Sequence, residues 1–412
     1  LVRNYLKYFN LNASHSVLDP FCGTGTTLVE CKKMGIASVG VESNPMACFA
    51  SRVKVNWTVD PDRLMQHARK IADIVLKKLE TDGVHDEAPL PLFYTGRKAV
   101  TTNLKTLSEE VQKLLLKDSI SPLPLHKTLV LLETLKEHEN ELCSEHERLA
   151  LARAIVFQIS NLYFGPEVGI RPAKPDAPVV APWLSGIQGM VDDLRILRTT
   201  TDSCAVVYQA DSRCLSAVLE PETVDAVITS PPYPNEKDYT RTTRLESVLL
   251  EFIRNKEDLR LVKRELVRSN TRSVYRDDQD DLWVAGYPEI QEIAYTIEKR
   301  RIELGKTSGF ERQYARLTKL YFGGMARHLS DLRTVLRPGA HLAYVVGDQA
   351  SYLRVMIRTG QILASIARSL DYEVVGIDLF RTRLSTATKE QLREEVVILR
   401  WPGKKDHRSA DL

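Results

Sequence analysis

The segment 16–45, SVLDPFCGTGTTLVECKKMGIASVGVESNP, constrains the fold more than any other part of the chain. An apolar run starts at Ser16, and a loop of glycines and threonines follows Asp19. A short helix is predicted from Thr27 to Met34, and SVGVE makes a second strand. Two parallel strands need a crossover, so strand, loop, helix and strand in this order call for an open, mostly parallel α/β sheet. The strand pattern returns in CAVVYQAD, VDAVITS, HLAYVVGD, YEVVGIDLF and EEVVILRW, with the helix RVMIRTGQILASIARSL between HLAYVVGD and YEVVGIDLF.

Two mainly helical insertions interrupt that pattern. RLMQHARKIADIVLKKLE, LSEEVQKLLLK and HERLALARAIVFQISNLYF have helical periodicity, and EAPLPLFYTG and SISPLPLHK read as breaks between them. A proline-rich loop, GPEVGIRPAKPDAPVVAPW, follows. The expected organisation is a discontinuous sheet domain of residues 1–58, 203–244 and 325–404, a helical insertion at 59–202 and a basic helical insertion at 245–324. The 412 residues, 43% hydrophobic and 27% charged, suit one large or two ordinary soluble domains. No apolar run approaches membrane-spanning length, and the six cysteines form no CxxC pair, so a reduced, cytoplasmic protein without a metal site is expected. The chain begins at Leu1 inside an amphipathic stretch, and further sequence is expected before it.

Gly23 and Gly25 lie in the first β–α turn, where glycine lets the backbone approach a ligand. Glu42 ends the next strand 42 − 23 = 19 positions later, close to the spacing at which a carboxylate meets a ribose diol. The loop lacks a dinucleotide motif's third glycine and begins with Asp19, a poor neighbour for pyrophosphate. An acid there suits a cationic ligand, and S-adenosylmethionine combines an ammonium, a sulfonium and a ribose. Asp211 is a candidate acceptor for an adenine amino group, or alternatively a helix N-cap before SRCL.

Downstream, VDAVIT runs into Ser230-Pro231-Pro232-Tyr233, on the rim that carries the glycine loop. An exocyclic amino group is a weak nucleophile because its lone pair is delocalised into the ring. The Ser230 hydroxyl and Pro231 carbonyl could accept its N–H bonds and localise that pair. The prolines would fix the carbonyl's direction, and Tyr233 could stack on an extruded base.

DPFCGTGTT followed by TSPPY resembles the S-adenosylmethionine-dependent DNA amino-methyltransferases, over about residues 16–56 and 204–400. The resemblance implies a Rossmann-like methyltransferase sheet and double-stranded DNA as partner. It implies a cofactor pocket of Asp19, Pro20, Phe21, Cys22, Gly23, Gly25, Thr26, Glu42, Ser43 and Asp211, with catalytic Ser230, Pro231, Pro232 and Tyr233. A serine in the first catalytic position is more typical of N4-cytosine enzymes than of N6-adenine enzymes. The cofactor loop precedes the catalytic corner, the reverse of many relatives with a DPF loop. The family's additional upstream cofactor motif is not recognisable. Carbon-5 methylation needs a Pro-Cys nucleophile, and no Pro-Cys pair occurs. Amino-methylation of RNA, a non-catalytic nucleic-acid-binding homologue and a dinucleotide oxidoreductase remain as alternatives. A cognate restriction enzyme or defence-system proteins are candidate partners, and the sequence specifies no oligomeric state.

The net charge is only +3, so a nucleic-acid surface has to come from local clustering. Residues 254–276 hold eight Lys/Arg against three Asp/Glu, although DDQDD follows at once. Lys263, Arg264, Arg268 and Arg272, extended by Arg241 and Arg244, are the expected DNA contacts, with Arg171 and Lys174 a second candidate.

Overall fold

A computed structural model of the chain, described for residues 1–87, 103–165, 167–198, 203–235, 237–384 and 391–404, contains nine strands among those residues. They are β1 (Ser16–Asp19), β2 (Ala37–Val41), β3 (Leu162–Phe164), β4 (Val168–Ile170), β5 (Ala205–Tyr208), β6 (Val224–Thr229), β7 (Leu336–Gly347), β8 (Glu373–Leu384) and β9 (Gln391–Arg400). Seven make one sheet in the order β5-β2-β1-β6-β7-β9-β8, and β3 and β4 pair separately. The run from β5 to β7 is parallel, while β9 is antiparallel to both β7 and β8. This is a Rossmann-like α/β sheet. From β1 the chain moves outward to β2 and β5, then returns to lay β6 on the other side of β1. That reversal opens a crevice at the carboxyl ends of β1 and β6, and the two loops carrying the sequence motifs both start there.

Neighbouring strand residues point to opposite faces, and the apolar side chains divide accordingly. Leu18, Val227, Leu342, Tyr344, Val397 and Leu399 enter one buried cluster. Their neighbours Val17, Ala226, Ile228, Ala343, Val396 and Ile398 enter another, with Leu6, Phe9, Cys31 and Ile36.

The chain forms two compact units: Leu1–Val55, Thr201–Asp238 and Leu261–Leu412 in one, Asn56–Thr200 and Tyr239–Arg260 in the other. The division differs from the expected domains. Residues 261–324 do not stand apart from the sheet, because Val267, Val284, Ile290, Ile297, Leu317 and Phe322 pack into its core cluster. The second unit is mainly helical, with Pro61–Thr81, Pro122–Glu137, Ser144–Ala154 and Val180–Leu197 as its longer helices. SISPLPLHK is therefore a helix start: Ser121 is the N-cap residue and Pro122 begins the first turn, where a missing N–H costs nothing. Lys127 is buried in this unit against Asp176 at 2.8 Å and Asp86 at 3.5 Å. Most of the EAPLPLFYTG stretch lies outside the described residues. Among the described residues no helix is long and apolar enough to cross a membrane.

Candidate active site

The turn after β1 is built by three hydrogen bonds. Phe21 N donates to Asp19 Oδ1 (3.2 Å), Cys22 N to the Val41 carbonyl (3.1 Å) and Gly25 N to the Cys22 carbonyl (2.8 Å). Gly23 and Gly25 adopt φ of +53° and +85°, a region costly for residues with a Cβ. A Cβ on Gly25 would lie 2.4 Å from Ser51 Oγ, whereas one on Gly23 would meet open space. Gly25 therefore closes the loop onto the protein, and Gly23 faces outward. Thr26 begins the helix Thr26–Lys33, Pro20 and Cys22 are buried, and Ser43 Oγ donates to the Ala210 carbonyl at 2.9 Å.

Two carboxylates flank the loop, Asp19 buried and Glu42 half-buried. Glu42 accepts from Gly23 N (2.9 Å) and Asn44 N (2.8 Å), and Asp19 accepts from Thr229 Oγ1 (2.6 Å). Burial pushes Asp19 up to about 6 and Glu42 up to about 7, and no cationic side chain is among the groups acting on either. Among the described residues neither makes an ion pair, and two such acids suit a ligand that carries both a cationic centre and a ribose diol, as S-adenosylmethionine does. Phe21 packs edge-on against His328, with ring centroids 4.9 Å apart. His328 is fully buried, bridges the Ser212 carbonyl (2.7 Å) and Tyr344 Oη (2.6 Å), and is held neutral by burial, its pKa down to about 4. Thr229 and His328 were not anticipated from sequence; a buried histidine in a long helix carries no local signal.

Asp211 is spoken for. Its carboxylate accepts from Arg213 N (2.8 Å) and pairs with the Arg213 guanidinium (2.7 Å), so the expected adenine contact competes with a built-in partner. The expected helix N-cap is not formed: the bond from Arg213 N closes a turn two residues on, and the short helix Leu215–Ala217 has Cys214 as its N-cap residue.

Ser230 is exposed at the carboxyl end of β6, and its Oγ donates to the Val345 carbonyl at 3.3 Å. With that proton used, the oxygen's lone pairs remain as acceptors. Pro231 is buried, Pro232 half-buried, and the Tyr233 carbonyl accepts from Asn235 N at 2.9 Å. Burial raises the Tyr233 pKa. A Cβ on Gly347 would lie 3.2 Å from the Tyr233 ring, so glycine at the end of β7 gives the ring its place. Since Thr229 binds Asp19, the catalytic corner and cofactor loop are tied at adjacent residues.

The basic segment is a knot of internal ion pairs. Arg268 is buried on Asp278 (2.7 Å), and its guanidinium also donates to the Lys263 carbonyl (2.9 Å). Arg264 pairs with Asp277 (2.9 Å) and Lys263 with Asp238 (3.2 Å). Arg244 is buried in the second unit, where it donates to the Leu114 carbonyl (3.2 Å) and Thr240 Oγ1 (3.0 Å). Arg241 is half-buried, while Arg272 is exposed with its guanidinium 5.4 Å from the Phe310 ring centre. Asp277 and Asp278 of DDQDD thus bind arginines that precede them, and Asp281 pairs with Arg316. Lys174 likewise donates to the Gln158 and Ser160 carbonyls (both 2.8 Å), while Arg171 is exposed with its guanidinium 5.9 Å from the Tyr163 ring centre.

The sheet order is that of a Rossmann-like methyltransferase fold, with the acidic glycine loop and the Ser-Pro-Pro-Tyr corner on one rim. A family model described as DNA methylase matches residues 7–52. The type II methyltransferase M.BsoBI of Geobacillus stearothermophilus is 24% identical over 435 aligned positions, covering 97% of this chain and 81% of the relative. M.AvaI of Nostoc sp., also a type II methyltransferase, is 27% identical over 205 positions, 47% of this chain and 42% of the relative. M.MjaII of Methanocaldococcus jannaschii is 44% identical over 55 positions, 13% of this chain and 10% of the relative. With the two motifs, these likenesses support a DNA amino-methyltransferase, a class of enzyme whose cofactor is S-adenosylmethionine.

Proposed function

We propose that the protein methylates the exocyclic N4 amino group of cytosine in duplex DNA. The observation that carries the reading is Ser230, an exposed hydroxyl whose proton is taken up by the Val345 carbonyl, one residue from the Thr229–Asp19 bond. S-adenosylmethionine, when bound, supplies an electrophilic methyl group. Ser230 Oγ and the Pro231 carbonyl accept the two N–H bonds of the target amine and turn its lone pair toward the cofactor loop. Tyr233 stacks on the flipped base and excludes water. Asp19 and Glu42 hold the cofactor by charge and hydrogen bonding. Preorganised acceptors of this kind contribute without a metal, covalent nucleophile or strong base.

The serine in the first catalytic position supports cytosine over adenine. The type II names of the relatives support a modification role beside a cognate restriction enzyme. Incubation with labelled S-adenosylmethionine and DNA, followed by nucleoside mass spectrometry, tests the assignment: N4-methylcytosine is expected. N6-methyladenine would move the activity to adenine, and no labelled nucleoside would remove the reading.

A further inference from the structure

In the segment first expected to meet DNA, Lys263, Arg264 and Arg268 are each paired with an acid. Around the catalytic corner a second set of arginines is arranged differently. Arg381 and Arg383 on β8 both reach Glu394 on β9, Arg393 pairs with Glu395 and Arg358 with Asp348. The carboxylates are sunk, with side chains 9%, 4% and 1% exposed for Glu394, Glu395 and Asp348. The guanidinium side chains stand out, at 65% for Arg381, 44% for Arg383, 43% for Arg393 and 42% for Arg358. In the knot of residues 263–278 the side chain of Arg268 is 4% exposed and that of Arg264 37%.

The strand register puts Arg381 and Arg383 beside Tyr233, whereas Arg393, next to Glu394 along β9, points to the opposite face with Glu395. Gly347, Glu394 and Arg381 are cross-strand partners in one row over β7, β9 and β8. Two strand spacings, about 10 Å, separate the ends of that row. A Cβ on Gly347 would touch both the Tyr233 ring (3.2 Å) and Glu394 Cγ (3.4 Å), so the buried acid beneath Arg381 and Arg383 lies next to the stacking tyrosine. Arg383 also donates to Gln349 Oε1 at 3.4 Å, which ties the edge strand to the end of β7. Buried acids fix the arginines' stems and directions, while each guanidinium keeps N–H donors free of those acids for a bidentate acceptor. A base flipped onto Tyr233 brings its own phosphodiester to this rim.

We propose that Arg381 and Arg383, set on the buried Glu394, form a phosphodiester cradle that grips the target strand next to the extruded base. The proposal rests on the DNA methyltransferase reading and adds the residues that hold the strand. It is tested with the full chain by fluorescence anisotropy on a duplex oligonucleotide over a series of salt concentrations. The double variant Arg381→Gln, Arg383→Gln is expected to weaken DNA binding about tenfold or more at moderate salt. Its slope of log affinity against log salt should fall by about 2. The corresponding lysine double variant should recover most of that slope, because a point charge still binds phosphate. Calorimetric affinity for S-adenosylmethionine should stay at the wild-type value. An unchanged salt slope, or a loss confined to cofactor affinity, overturns the cradle. Failure of the wild type to methylate DNA would strike the underlying reading and leaves the binding slope as a separate measurement.

Discussion

Ser230 and Gly347 make different demands on the same corner. Ser230→Ala removes one preorganised acceptor and leaves the fold intact, since the side chain is exposed. The expected loss is about 100- to 1,000-fold in the rate of methyl transfer, the range found when a single preorganised polar group is deleted from an active site. Single-turnover kinetics would show it, with cofactor affinity unchanged. Gly347→Ala inserts a methyl 3.2 Å from the Tyr233 ring, and the ring must give by a few tenths of an ångström. Misplacement by about 1 Å can cost 100-fold, so a loss of about tenfold in turnover is expected with little change in melting temperature. Full activity in that variant would mean that the position of Tyr233 does not matter.

Strands and motif loops were legible because local patterns specify them. Short apolar runs marked the seven strands of the large sheet, and the acidic glycine loop and Ser-Pro-Pro-Tyr corner follow β1 and β6 as read. What sequence could not give was pairing between distant side chains. The expectation of a DNA-facing stripe at 254–276 counted arginines without knowing that Asp277 and Asp278 fold back onto Arg264 and Arg268. Nor could it show Arg213 occupying Asp211, or Val267 to Phe322 joining the sheet's core. Both results depend on contacts that no local period encodes. The burial of Arg268 gives a test. Arg268→Ala leaves Asp278 without its counter-charge, which costs about 3–5 kcal/mol for a buried pair. Urea denaturation measures it. An exposed phosphate contact would change stability by about 0.5 kcal/mol or less.

Raised acid pKa values make the protein's stability and its cofactor affinity move oppositely with pH. Burial lifts Asp19 to about 6, Glu42 to about 7 and Glu246, in the helix Arg244–Leu249, to about 8. Each folded value exceeds its ordinary one of 3.8 or 4.5. The folded state therefore holds protons that the unfolded chain has released, and stability falls as pH rises through the folded values. Without ligand, the melting temperature should decline from pH about 5 to about 8, the interval these values span. Cofactor binding has the opposite sign. Asp19 and Glu42 attract a cation only when ionised, so affinity and the cofactor-induced rise in melting temperature should increase over pH 6–7, where both titrate. Glu246→Gln separates the two effects. It should flatten the ligand-free decline near pH 8 and leave the cofactor-induced shift unaltered. Differential scanning fluorimetry across that pH range, with and without S-adenosylmethionine, reads both. A cofactor-induced shift that does not vary with pH would mean that Asp19 and Glu42 do not hold the cationic ligand.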